Sequence, residues 1–427
     1  MAADPLHKDI FVHADWMGPD PARPGLTFKP SFRAIQIVAD SFAVAPVNNP
    51  DGKPGINLHV DLGPQSIMDF VAGAAWDALS AASEVPFQEV LGLNSPDDIW
   101  SDVDAIKALH FGPARRSPVF RYVLVGNRFA GRPETGCSCP TGQVTTLPDA
   151  CAVTSSGVAR GTPGTDFLVT LGYRDGGTLL QQAGTIMHEL GHTLGLNHGG
   201  PSDDRINFKP NYLSVMNYNF QFSGLLSANG IQRMIDYSTR KLDTLDEFNL
   251  DENVGINDPD GHLTVWNLGT RADDPPGSNQ CLQNPNFYNA LFYPDQALDW
   301  SCDGVKDAAP IATPLDVNRD GICVTPGDDG VLHSIPAGDD QIRKALIARG
   351  TGPTFVVADV ITSGPDRICE TKADCADKQQ QQDCHPERGG QREGHASLGG
   401  RLRRQPHQRR PGRRAAARRQ RHTGERR

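Results

Sequence analysis

The sequence predicts an α/β (α+β) fold in its first half, followed by a loop-rich region and a disordered tail. Segments with strand and helix periodicity follow one another within the first 200 residues, which is typical of layered α/β folds. Glycine (44) and proline (33) are frequent among the 427 residues, which indicates many turns and long loops. No run approaches the ~18 consecutive apolar residues of a membrane helix, so no membrane span is expected.

Four strands and two helices are predicted within those 200 residues. The helix that follows Ser31 has apolar side chains at Ile35, Val38 and Phe42, which share one helical face. The strands are indicated by apolar runs bounded by glycine, proline and aspartate. In chain order the elements are a strand at 8–17, the helix after Ser31, strands at 55–62, 119–125 and 166–173, and a helix at 179–194.

Composition divides the chain into three parts. Residues 1–250 are predicted to form the first domain, with an insertion at about 64–118 that carries one or two helices and a cysteine-bearing loop at 131–158. Residues 251–378 are predicted as a loop-rich acidic accessory region. Residues 379–427 are rich in arginine and contain few apolar side chains, so a disordered tail is expected. The formal net charge of −10 therefore combines an acidic body with a basic tail.

The segment His-Glu-Leu-Gly-His-Thr-Leu-Gly-Leu-Asn-His, residues 188–198, indicates a metal site. His188 and His192 are one helical turn apart and share a face of the predicted helix. Gly195 can adopt a positive φ and end the helix, which lets His198 supply a third nitrogen. Three protein ligands leave a fourth position for water, as in catalytic rather than structural zinc sites. Glu189 lies beside the ligands, where it can handle a metal-bound water rather than bind the metal.

This motif resembles the zinc signature of the metzincin metallopeptidases. The sequence Ser-Val-Met-Asn-Tyr at 214–218 is similar to the Met-turn of their astacin and serralysin branches. The resemblance implies that Met216 is the turn residue beneath the zinc ligands, and that Tyr218 is a fifth ligand or an oxyanion donor. Gly199 departs from the residues that follow the third histidine in the main branches, and the flanking sequence is similar to bacterial secreted reprolysin-like peptidases. The branch stays open.

The resemblance implies a mixed sheet with an active-site helix and a zinc-dependent endopeptidase that acts on protein or peptide substrates. Glu189 would act as the general base toward the attacking water. The strand at 166–173 is expected to border the cleft and to pair with an extended substrate. The alternative is a non-catalytic, calcium-dependent binding or adhesion protein with a structural zinc, in which Glu189 and an open metal position would have no role.

Two acidic loops in the accessory region match the first half of a calcium loop of the EF-hand type, with oxygen ligands at positions 1, 3 and 5 and glycine at position 6. Solvated Asp-Gly turns are the alternative, and the similar segment 258–261 is predicted to be a plain turn. The calcium ligands expected are Asp316, Asn318 and Asp320 in the first loop, and Asp299, Ser301 and Asp303 in the second, looser one.

The cysteines and the chain ends bear on where the protein acts. Nine cysteines in loop-like sequence favour a secreted, disulfide-bearing protein, with reduced thiols as the alternative. The chain starts without a signal peptide, so we expect either a cytoplasmic protein or, in preference, a protein whose true N-terminus is missing from this sequence.

The tail lacks aromatic residues for base stacking, so nucleic acid is not an expected partner. The arginine-rich composition of the tail is explained as well by a disordered, solvated segment, or by an out-of-frame reading of the gene, as by nucleic-acid binding. A monomer is expected.

Overall fold

The computed structural model describes residues 3–70, 73–92, 99–130, 152–153, 155–200, 207–227, 233–247 and 249–266, and then residues 298, 300, 307–311, 317 and 331–332. This part of the chain is a mixed α/β structure with a mostly parallel sheet and few helices. All six predicted calcium ligands, all nine cysteines and the basic tail lie outside the described residues.

The described strands outside the central sheet are only two or three residues long. The helices are α1 (Phe32–Ala43), α2 (Ile99–His110), α3 (Leu179–Thr193) and the single-turn α4 (Tyr218–Gln221). The strands are β1 (Asp9–Met17), β2 (Asn57–Asp61), β3 (Ile67–Asp69), β4 (Ala74–Ala75), β5 (Glu84–Val85), β6 (Phe120–Gly126), β7 (Phe129–Ala130), β8 (Ala152–Val153), β9 (Gly157–Ala159), β10 (Asp166–Thr170), β11 (Leu225–Ser227), β12 (Arg233–Met234), β13 (Leu245–Asp246), β14 (His262–Leu263) and β15 (Val331–Leu332).

The central sheet has the strand order β2-β1-β6-β10-β9, and β5 pairs with the end of β1. Strands β2, β1, β6 and β10 run parallel, and β9 is antiparallel to β10 with Val158 opposite Leu168. Every residue of β6 and β10 is buried, as expected of parallel strands covered on both faces. The sheet therefore ends, on the β9 side, in a short reversed strand.

Helices α1 and α3 pack against each other and against the sheet. Helix α1 begins where the Ser31 side chain accepts a hydrogen bond from the Arg33 backbone N–H. Its apolar face, which includes Ile35, Val38 and Phe42, is buried. These contacts place α3 against the strands β9 and β10.

The predicted strands at 8–17, 55–62 and 119–125 and both predicted helices are confirmed, with boundaries shifted by a few residues. The strand predicted over 166–173 ends at Thr170, because residues 172–174 form a 3₁₀ turn. The insertion contains one α-helix, α2, and the short strands β3–β5. The prediction of a loop over residues 131–158 was wrong at its end, because residues 152–153 form β8 and β9 starts at Gly157.

A second hydrophobic core lies beyond α3. It includes Phe220 of α4 and the tilted pair Trp266 and Trp300, whose ring centroids are 5.0 Å apart. This core draws on residues before and after position 250, where the sequence predicted a domain boundary. That boundary stays a prediction. Within the described ranges, no helix is long and apolar enough to cross a membrane.

A buried ion pair fastens the insertion to the sheet. The Arg116 guanidinium donates to Asp61 Oδ2 at 2.7 Å and contacts His13 Nδ1 at 2.6 Å. Burial by itself would raise the pKa of Asp61, but hydrogen bonds from Ser80, the Ala81 N–H and Arg116 lower it. Because both charges are inside the protein, removing one would leave the other buried without its partner.

We expect Arg116→Met to lower the free energy of unfolding by about 3 kcal/mol or more, because it leaves the Asp61 charge buried. The neighbouring exposed Arg115 supplies a matched control. Arg115→Met should change stability by less than about 0.5 kcal/mol. Urea unfolding of both variants measures the difference. Equal stabilities would show that the ion pair does not hold the insertion.

Candidate metal centre

Helix α3 ends in a backbone motif that turns the chain back toward its own last turn. The Leu196 N–H donates to the Gly191 carbonyl at 3.0 Å, and the Gly195 N–H donates to the His192 carbonyl at 2.9 Å. These two bonds form a Schellman motif, which requires a left-handed residue. Gly195 fills that position with φ +94°. The turn brings His198 beside the two histidines of the helix.

The three histidines converge through their Nε2 atoms. The distances are 3.2 Å between His188 and His192, 3.2 Å between His188 and His198, and 3.0 Å between His192 and His198. Metal–nitrogen bonds of about 2.0–2.1 Å in a tetrahedral site would separate two such nitrogens by about 3.3–3.4 Å. The triangle therefore has nearly the size that a single small cation requires. His188 is buried, and His192 and His198 keep partly accessible edges.

The contacts of the Nδ1 atoms show which ring nitrogens of His188 and His192 carry the protons. His188 Nδ1 lies 2.8 Å from the Val215 carbonyl, and His192 Nδ1 lies 2.8 Å from the Leu196 carbonyl. Because a carbonyl only accepts, each Nδ1 donates and each Nε2 presents a lone pair to the centre. Burial lowers the pKa of His192 to about 4. The pKa values of His188 and His198 lie well below the usual value, mainly because of burial and, to a lesser extent, because of the neighbouring histidines. Neutral imidazoles are the form that binds metal.

Glu189 is next to this triangle and is almost fully buried. The backbone of β9 lies directly against it. A Cβ atom built on Gly157 would be 2.7 Å from Glu189 Cγ and 2.5 Å from the Leu168 carbonyl oxygen, so no larger residue fits there. This contact is not predictable from the sequence, because Gly157 falls in a stretch with the character of a loop.

The segment that contains Met216 lies beneath α3. The Met216 side chain is fully buried, and a Cβ atom on Gly191 would be 2.3 Å from its sulfur. The same segment supplies the Val215 carbonyl that accepts from His188. Tyr237, which sequence reasoning missed, donates from its hydroxyl to the Met187 carbonyl at 2.7 Å. The turn therefore fixes one ligand ring and packs under the helix that carries two of them.

Tyr218 packs against two of the three ligands. Its ring centroid is 4.3 Å from that of His198 and 5.5 Å from that of His188. Phe208 contacts the Tyr218 ring from another side, at 5.8 Å between centroids. Tyr218 is half-buried, so it stands at the border between the histidines and solvent. The structure thus brings together His188, Glu189, His192, Gly195, His198, Met216 and Tyr218.

A second group of side chains that could hold a metal consists of Asp258, Asp260 and His262. These side chains already have partners. His262 Nδ1 contacts Asp258 Oδ2 at 2.7 Å, and Arg240 forms two hydrogen bonds with Asp260 at 2.7 and 2.9 Å. The Gly261 N–H donates to the Asp258 carbonyl, so this segment forms the turn that the sequence predicted.

Comparison of the chain with protein-family models and with curated proteins finds no match. The assignment of the site therefore depends on its geometry and chemistry.

We expect the purified protein to bind one zinc ion per chain and to lose it when His188, His192 or His198 is changed to alanine. His262→Gln serves as the control and should retain the ion, because Asp258 already occupies its ring nitrogen. Metal analysis after dialysis measures the stoichiometry, and circular dichroism shows whether each variant folds. Unchanged metal content in all three alanine variants would refute the assignment.

Proposed function

We propose that the protein is a zinc-dependent endopeptidase of the metzincin type. The observation that carries this proposal is the triangle of three histidine Nε2 atoms with Glu189 beside it. A nitrogen-only donor set of neutral imidazoles favours zinc over calcium or magnesium, which prefer oxygen. Three protein ligands leave room for water and substrate, as a catalytic site requires. When bound, zinc supplies Lewis acidity that activates water and polarises the scissile carbonyl.

Glu189 is the general base and acid of this proposal. Its carboxylate accepts a proton from the attacking water and passes it to the leaving amine, so that the peptide bond breaks and a carboxylate and an amine form. The close contact with Gly157 restricts where the Glu189 side chain can go. In this proposal Tyr218 donates a hydrogen bond to the carbonyl oxygen as negative charge develops there. Its ring position against His198 supports this role.

The substrate is proposed to bind along β9 rather than β10. The strand predicted to pair with substrate, β10, is bonded to β6 on one side and to β9 on the other, so that expectation was wrong. The Thr170 N–H donates to the Ser156 carbonyl, and the Arg160 N–H donates to the Asp166 carbonyl. Antiparallel ladders alternate, so the backbone groups of Ala159 point away from β10. An extended peptide that paired with them would pass Glu189.

We expect Glu189→Gln to retain zinc and to lose peptidase activity by about three orders of magnitude, because the ligands remain while the base is lost. Glu89→Gln is the control, since Glu89 is exposed and forms an ion pair with Arg128 on the surface. Cleavage of casein with and without a chelator measures activity, and metal analysis measures the zinc. Glu189→Gln activity within tenfold of the unmodified protein would show that another group serves as the base.

We expect Ala159→Pro to raise KM about fivefold to tenfold with a smaller change in kcat, because proline removes one outward N–H without breaking the ladder with β10. Ala159→Val keeps the N–H and should behave like the unmodified protein. Kinetics on one peptide substrate separate the two constants. A normal KM for the proline variant would place the substrate elsewhere.

A further inference from the structure

Lys209 is fully buried, with 1% of its surface exposed. Lysine is among the residues that are least often buried, because removing an ammonium group from water is costly unless strong hydrogen bonds replace the lost hydration. The Lys209 ammonium donates to the Gly199 carbonyl at 3.0 Å. Gly199 immediately follows His198. A buried charge is therefore aimed at the peptide that adjoins the third histidine of the metal centre.

His198 needs a restraint that the other two histidines do not. His188 and His192 sit on α3, and each has a backbone carbonyl at Nδ1. In the part of the chain that the structure describes, no such acceptor contacts His198 Nδ1. Its segment contains two glycines with positive φ, Gly195 at +94° and Gly200 at +109°. Such a backbone loses much entropy on ordering, so an anchor at Gly199 has a clear physical effect.

The other end of Lys209 is attached to the turn beneath α3. The Lys209 carbonyl accepts from the Asn217 side-chain amide at 2.8 Å, and Asn217 is fully buried between Met216 and Tyr218 in sequence. The residue before it, Phe208, has φ +60°, which is rare for a bulky side chain and carries strain. That conformation allows Phe208 to pack against Tyr218 while Lys209 points inward.

We propose that Lys209 is a positioning residue for the metal centre. Its ammonium joins the carbonyl after His198 to the segment that carries Met216 and Tyr218, and this connection holds the third ligand in register with the other two. Groups that orient metal ligands typically change metal affinity by about 10–100-fold when they are removed. The proposal rests on the histidine metal site and does not depend on peptidase activity.

Lys209→Met tests this, because methionine keeps most of the side-chain volume and removes the charged donor. Zinc affinity is measured by competition with a chromogenic chelator, and coordination geometry by the visible spectrum of the cobalt-substituted protein. We expect about 10–100-fold weaker zinc binding and an altered cobalt spectrum. The same substitution at the exposed Lys241 is the control and should leave both unchanged. Lys209→Arg, which retains a cationic donor, should recover part of the lost affinity.

Zinc affinity within twofold of the unmodified protein and an unchanged cobalt spectrum in folded Lys209→Met would overturn the proposal. If that variant does not fold, Lys209→Gln carries the same expectation, because its shorter neutral amide keeps a donor but cannot span the same distance. Equal zinc affinity in that variant would be equally decisive. Loss of activity in Glu189→Gln together with unchanged zinc binding in Lys209→Met would overturn only the positioning proposal. Weakened zinc binding in Lys209→Met together with unchanged activity in Glu189→Gln would overturn only the proposed role of Glu189.

Discussion

Three imidazoles whose Nε2 atoms lie 3.0–3.2 Å from one another are the constraint on which the centre of this structure depends. Rings that converge this closely must be held by surrounding bonds. The Val215 and Leu196 carbonyls hold two rings by their Nδ1 protons. The Schellman turn at Gly195 and the tilted Tyr218 ring bring the third ring into place. A site arranged in this way favours a metal ion because the fold has already brought the three nitrogen atoms together.

Close backbone approach is the means by which the fold surrounds these rings. Gly184 and Gly191 lie two helical turns apart on one face of α3, where Cβ atoms would be 1.8 Å from the Gln221 carbonyl oxygen and 2.3 Å from the Met216 sulfur. Gly157 allows β9 to approach Glu189 in the same manner. Glycine inside a helix or strand costs stability, so three such positions around one site show that the packing there is tighter than any side chain would permit.

The parts of the site that the sequence could predict are local. The spacing of His188, His192 and Gly195 within one helix and its cap already specifies two candidate ligands and the turn that delivers the third. Lys209 and Tyr237 escaped prediction because their bonds to Gly199 and Met187 join separate segments of the chain, and a single lysine in a polar segment is expected to be solvated. The strand β9 was missed because three residues between glycine and a polar loop carry almost no periodicity, and only pairing with β10 makes them a strand.

The reversed strand β9 links the insertion to the proposed chemistry. Arg160, at the end of β9, forms two hydrogen bonds with Asp104 of α2 at 2.6 and 3.0 Å. Both side chains are substantially exposed, so the pair adds little to stability. Its effect is geometric, because it fixes the end of β9 that is farther from Glu189 while Gly157 fixes the nearer end. A peptide paired with β9 would then be aligned by the insertion at one end and by the base at the other. On the proposed function, the insertion therefore acts on how a substrate is presented, whereas α3 and the turn beneath it determine the chemistry.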